Sequence, residues 1–153
     1  MDKKIKIAIL ISGNGSNMLA LINDMASKDH PAKPVLVISD SPKARGLVLA
    51  KSKNIKTAIV NYKKYSARQD YEEKLKELIY ASGAEIICLA GFLRILSPTF
   101  VNSFKNGILN VHPSILPLFK GLNTHAKALN SGMAIHGATV HLVSEELDSG
   151  EIL

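Results

Sequence analysis

The stretch from Lys4 to Ile11 first alternates polar and apolar residues, then runs continuously apolar through Ile7-Ala8-Ile9-Leu10-Ile11. A strand covered on both faces has this pattern, and such strands belong to parallel sheets flanked by helices. Ser12-Gly13-Asn14-Gly15-Ser16-Asn17 follows, then Met18, Leu21, Ile22 and Met25 at helical spacing. The strand-then-helix order recurs. Val35 to Ile38 predicts a second strand, ended by Ser39-Asp40-Ser41-Pro42, and a helix runs from about Lys43 to Lys53. A third strand lies near Thr57 to Val60. Tyr71, Leu75, Leu78 and Ile79 mark one apolar helix face, and Gly83 ends that helix. Ile86 to Ala90 is a fourth strand, Ser97-Pro98 opens a short helix through Phe104, and Gly107 precedes a fifth strand from Ile108 to Val111. Thr124 to Leu129 is helical and Ala138 to Val143 is a sixth strand. Alternation of this kind predicts an α/β fold of Rossmann-like type: an open, mostly parallel sheet with helices on both faces.

The chain has 153 residues, enough for one domain with a real core, so residues 1–153 are expected to form a single domain. No apolar run approaches the roughly 20 residues of a membrane span. Met1-Asp2-Lys3-Lys4 leads straight into a strand, which argues against a signal peptide. The only cysteine, Cys88, excludes an intrachain disulfide and reads as a buried inert thiol. Together these suggest a cytoplasmic protein. The net charge is +6, but the lysines are scattered, no dense run is interleaved with aromatics, and Trp is absent. Nucleic acid is therefore a disfavoured partner, and small anionic substrates fit better.

Ligands of open α/β sheets bind beyond the carboxyl ends of the strands. The loop after the first strand opens a helix, so its glycines and the helix N-terminus offer backbone N–H groups to an anion. Ser16 and Asn17 are candidates both to cap the helix and to touch phosphate oxygens. A plain tight turn is the bland alternative. Asp40 stands where a dinucleotide fold keeps its ribose-binding acid, yet the loop lacks a third glycine. No Gly-Lys-Ser/Thr follows it, which disfavours nucleoside triphosphate hydrolysis. The five histidines form no close helical pair, so a catalytic zinc is not expected. The serine nucleophile motif Gly-x-Ser-x-Gly is missing.

Ile108-Leu109-Asn110-Val111-His112-Pro113 places one amide and one imidazole in an apolar run. Pro113 holds the residue before it extended, and residues two apart on an extended chain point the same way. Asn110 and His112 should project together, a pair able to polarise a carbonyl and to stabilise or protonate an oxyanion. The alternative is a strand cap beside a hydrogen-bonded core histidine. Glu145-Glu146-Leu147-Asp148-Ser149-Gly150 is either a solvated acidic turn or the source of a carboxylate for His112.

Five segments in order carry a family resemblance: 11–17, 89–97, 110–117, 136–141 and 146–150. The chain resembles the phosphoribosylglycinamide formyltransferases over essentially its whole length. The resemblance implies transfer of a formyl group from 10-formyltetrahydrofolate to the amine of glycinamide ribonucleotide, without a metal. It implies that Gly15, Ser16 and Asn17 hold the ribonucleotide phosphate. Arg68 and the stretch Phe92, Leu93, Arg94, Ile95 and Leu96 would line the folate site. Ser144, Glu145, Glu146, Leu147 and Asp148 would close over the pterin. Asn110, His112 and Asp148 would be the catalytic residues, with Asn110 also in the folate site, His112 as general acid and Asp148 favouring its protonated form. Thr139 and His141 would support them. Partners would be these two small molecules, with no nucleic acid or membrane, and a homo-oligomer is open. Asn123 departs from the His or Asp expected there. Family members also continue for several tens of residues past position 153, so this chain is expected to lack their C-terminal strand, helix and some ribonucleotide contacts. Alternatives of the same fold are methionyl-tRNA formyltransferase, formyltetrahydrofolate deformylase, and a folate-binding remnant without turnover.

Overall fold

The computed structural model describes residues 3–153. Met1 and Asp2, on which the reading of the chain's start rests, lie outside them. The described residues fall into two compact units, one running to Leu96 and the other Ser97–Leu153.

The first unit contains β1 (Ile5–Ile11), α1 (Ser16–Asp24), β2 (Ala32–Ser39), α2 (Arg45–Ser52), β3 (Thr57–Ile59), a 3-10 turn (Tyr62–Lys64), α3 (Arg68–Ser82) and β4 (Ile86–Leu89). Its strands lie in the order β3-β2-β1-β4, all parallel. β1 sits between β2 on one side and β4 on the other, so the order reverses there, and the loops at that reversal are where such sheets take ligands. The apolar run of β1 is explained by its burial: Ala8, Ile9, Leu10 and Ile11 have no exposed surface. Ile7, Ile9 and Ile11 pack with Met18 and Ile22 of α1 and Leu47 and Ala50 of α2. Ala8 and Leu10 point to the opposite face by strand alternation. Tyr71, Leu75 and Ile79, one turn apart on α3, are buried outside that cluster and cover the second face. Truncating a residue such as Leu75 to Ala would cost about 2–5 kcal/mol.

The strand β2 starts three residues earlier than Val35, the start read from the sequence. Pro34 looks like a breaker because it has no N–H to donate. The ladder accommodates it by a register shift, with Ile7 opposite Pro34 and Ala8 opposite Leu36. Gly83 ends α3 in the left-handed conformation, as expected of that residue.

The second unit contains α4 (Pro98–Asn102), β5 (Ile108–His112), α5 (Thr124–Asn130) and β6 (Thr139–Leu142). Ser97 Oγ caps α4 by accepting from Phe100 N at 3.1 Å. This helix stops short of the expected Phe104. β5 and β6 pair antiparallel, with Asn110 opposite His141 and His112 opposite Thr139. Of the six strands among the described residues, four are thus mutually parallel, and the fold class is α/β as the alternation predicts. No helix among the described residues is long and apolar enough to cross a membrane.

Candidate active site

In the first unit, the glycine loop turns β1 into α1. Gly15 occupies the cap position with φ +79°, and α1 begins at Ser16. Ser16 and Asn17 are therefore the first two helical residues and not caps, which corrects the sequence expectation. No side chain caps this end. The first N–H groups of a helix have no partner within it, and Ser16 and Asn17 are exposed. Gly15 is required for a second reason: a Cβ there would lie 2.6 Å from Gly46 Cα of α2.

The segment 92–96 follows β4 without regular structure. Phe92, Arg94 and Leu96 turn inward to varying depth, while Leu93 and Ile95 are exposed. Arg94 Nε donates to Asp40 Oδ2 at 2.6 Å, and its guanidinium lies 4.5 Å over the Tyr62 ring. Asp40 is thereby committed to an arginine, which argues against the ribose-binding role its position suggested. Tyr71 packs edge-on against Tyr62 and Tyr65, and its hydroxyl has no hydrogen-bond partner. Burial, with the Asp40 carboxylate adding to it, drives the Tyr71 pKa far above that of an ordinary phenol. Burial likewise pushes the Cys88 thiol up to about 11. Arg68, at the start of α3, is half-exposed and pairs with Glu72 at 3.9 Å.

In the second unit, Asn110, His112, His141 and Asp148 come together. His112 Nδ1 lies 3.4 Å from Asp148 Oδ2, and His141 Nε2 lies 3.7 Å from Asp148 Oδ1. His112, His141 and Asp148 are buried. Asn110 Nδ2 donates to His141 Nε2 at 3.2 Å, while His141 Nδ1 donates to Leu142 O at 2.9 Å. His141 thus spans from the Asn110 amide at Nε2 to the Leu142 carbonyl at Nδ1. His112 Nε2 donates to Phe119 O at 3.0 Å. Both nitrogens of His112 thus face oxygens that only accept, one a carbonyl and one a carboxylate.

Asp148 is not a solvated turn residue. It is buried, stands at φ +48°, and accepts from Gly121 N at 2.9 Å. Thr139 Oγ1 donates to Ser114 O at 2.7 Å and accepts from Leu116 N at 3.0 Å, tying the loop after His112 to β6. Ser144 Oγ donates to Glu146 O, Glu145 accepts from Asn102 Nδ2, and Leu147 is half-exposed. Asn123 stands before α5 at φ +60°, a conformation that asparagine tolerates better than most residues. Among the described residues there is no cluster of three or more metal-ligating side chains.

Residues 5–153 match the formyl transferase family. The chain belongs to that family. It is 42% identical to the phosphoribosylglycinamide formyltransferase of Haemophilus influenzae, over 97% of this chain and 70% of that protein. It is 43% identical to the trifunctional purine biosynthetic protein adenosine-3 of Gallus gallus over 98% of this chain, yet spans only 15% of that relative's length. The crystal structure of phosphoribosylglycinamide formyltransferase from Brucella melitensis superposes with a TM-score of 0.94 at 43% identity, covering 99% of this chain and 78% of that one.

Several contacts in this formyl transferase have no signature in the sequence. The partners of His112 and Asp148 at Phe119 and Gly121 are main-chain atoms, which any residue could supply. The approach of His136 Nε2 to His125 Nδ1, 3.0 Å across eleven residues, follows no helical spacing. Strand alternation was enough to place Asn110 and His112 on one face of β5, and the resemblance pointed to His141.

Proposed function

We propose that this formyl transferase moves the formyl group of 10-formyltetrahydrofolate onto the amine of glycinamide ribonucleotide, a step of purine biosynthesis. The observation that carries the proposal is the joining of an amide, two imidazoles and a buried carboxylate through Asn110, His112, His141 and Asp148. The activity named for the Haemophilus influenzae relative supports this choice of acceptor over a tRNA or water.

In this mechanism the amine lone pair attacks the formyl carbon and the carbonyl electrons move to oxygen. Asn110 has two amide hydrogens, and His141 takes one. The other stabilises the oxyanion, a role for which a single donor typically contributes about a hundred- to a thousand-fold in rate. His112 supplies positive charge and then a proton to the departing folate nitrogen as the carbon–nitrogen bond breaks, and the proton shed by the attacking amine returns to His112, restoring it for the next turnover. Asp148 opposes the charge on His112 at Nδ1, so the proton leaves from Nε2 once Phe119 O has given way. His141 and Thr139 hold Asn110 and the loop 113–121 in place. Gly15, Ser16 and Asn17 bind the ribonucleotide phosphate through the uncapped end of α1, where backbone N–H groups and the helix dipole favour an anion. Arg68, residues 92–96 and residues 144–148 bind the folate. The two compact units serve as one formyltransferase domain.

The test is an assay of the purified chain with both substrates, following loss of the formyl-folate chromophore and formation of formylated ribonucleotide. Formyl transfer is expected. Folate binding with no transfer would instead favour a folate-holding protein without turnover.

A further inference from the structure

Segment 92–96 has no ladder or helix to hold its backbone, yet it is anchored at Leu93 and Arg94, with a further bond at Gly91 just before it. Ser12 N donates to Gly91 O at 3.1 Å, and Leu93 N donates to Ser12 Oγ at 2.9 Å. Arg94 Nε donates to Asp40 Oδ2. Ser12 is the first residue after β1, and Asp40 the first after β2. The Asp40 side chain is 1% exposed and that of Arg94 38%, so the anchor is internal and the guanidinium reaches the surface. Asp40 also fixes the second contact of the arginine, because its carbonyl accepts from Tyr62 N at 3.2 Å and Tyr62 carries the ring beneath the guanidinium. One buried residue therefore sets both the ion pair and the aromatic surface. Its Oδ1 has no hydrogen-bond partner, so within the protein the carboxylate is held through a single oxygen. A buried charge kept with half its acceptor capacity unused is costly, which makes a role beyond stability the better account of it.

We infer that Asp40 and Ser12 are positioning residues for the folate, holding the 92–96 backbone and Arg94 in the conformation that receives the pterin. The inference rests on the proposed folate reading of that segment. Neither residue touches the reacting atoms. Their effect falls on folate affinity, through the order of the segment, and not on the phosphate site at the start of α1.

Asp40→Asn keeps the shape and removes the charge, and Arg94 is exposed enough for water to take over its Nε–H, so the variant folds. Ser12→Ala removes only the acceptor for Leu93 N. Two measurements apply to both variants: calorimetric Kd values for 10-formyltetrahydrofolate and glycinamide ribonucleotide, and amide hydrogen exchange of residues 92–96. For Asp40→Asn we expect folate Kd to rise at least tenfold, ribonucleotide Kd to change less than twofold, and exchange at Leu93 and Arg94 to accelerate at least tenfold. Ser12→Ala should give smaller changes in the same direction. Equal loss of both ligands would mark a merely structural role and overturn the inference. Unchanged folate Kd in Asp40→Asn, with the unaltered chain binding folate normally, would overturn the inference alone. Failure of the unaltered chain to bind folate would remove the folate reading and the inference with it.

Discussion

Replacing Asp148 by Asn tests the site most directly, because the side chain keeps its shape while the charge is lost. The carboxylate lies 3.4 Å from His112 Nδ1, and at an effective dielectric near 20 the attraction to a protonated ring is about 5 kcal/mol, a ceiling before desolvation is subtracted. Comparable losses of a single charge-stabilising group cost about 2.7–4 kcal/mol in the transition state, so turnover should fall about a hundred- to a thousand-fold. Stability should change less. Asn retains an oxygen for Gly121 N and tolerates the backbone at φ +48°. The remaining cost, about 1–3 kcal/mol for an impaired buried contact, corresponds to a Tm lower by roughly 2–12 °C. Asp148→Ala loses the acceptor and strains the positive φ as well, and should melt lower still. Single-turnover formyl transfer, with thermal melts on the same samples, separates the two effects. A folded Asp148→Asn protein retaining more than a tenth of the turnover would refute the assignment of Asp148 to the chemistry.

His112→Ala should reduce turnover by at least about a hundred-fold while folate still binds, since the imidazole acts in the transition state; near-normal kcat would sink the mechanism. Gly15→Ala forces a Cβ to 2.6 Å from Gly46 Cα at φ +79°, so Tm should drop and ribonucleotide affinity should weaken at least tenfold; a melt and a titration that match the parent would remove the loop from the phosphate site. Cys88, with its thiol pushed up to about 11, should alkylate slowly in the native protein at pH 8 and rapidly after denaturation; fast native labelling would show that the strand opens.

Much of the fold was legible because its signals are local. The continuous apolar run of β1, the four-residue spacing of Tyr71, Leu75 and Ile79, and the left-handed stop at Gly83 each arise within a few residues, from side-chain burial or backbone sterics. The candidate chemistry was legible where it depends on side-chain type. Asn110 and His112 share a face because they are two apart on a strand, whereas Asp148 was distinguished from the neighbouring Glu145 and Glu146 only by the family resemblance. The limits were equally physical. Pro34 hid the start of β2 because a register shift across to β1 absorbed its missing N–H. Asp40 looked like a ribose acid until Arg94, fifty-four residues away, proved to hold it.

The sequence by itself determined the strand and helix periodicity and the inventory of groups available for chemistry, since both are properties of neighbouring residues. Only the tertiary structure decided which groups meet. It buried Asp148 between His112 and His141, set Phe119 O on Nε2 of His112, and tied segment 92–96 to Ser12 and Asp40. Those contacts involve main-chain atoms or distant residues, and they are made when chain closure and burial bring polar groups far apart in sequence within reach of one another.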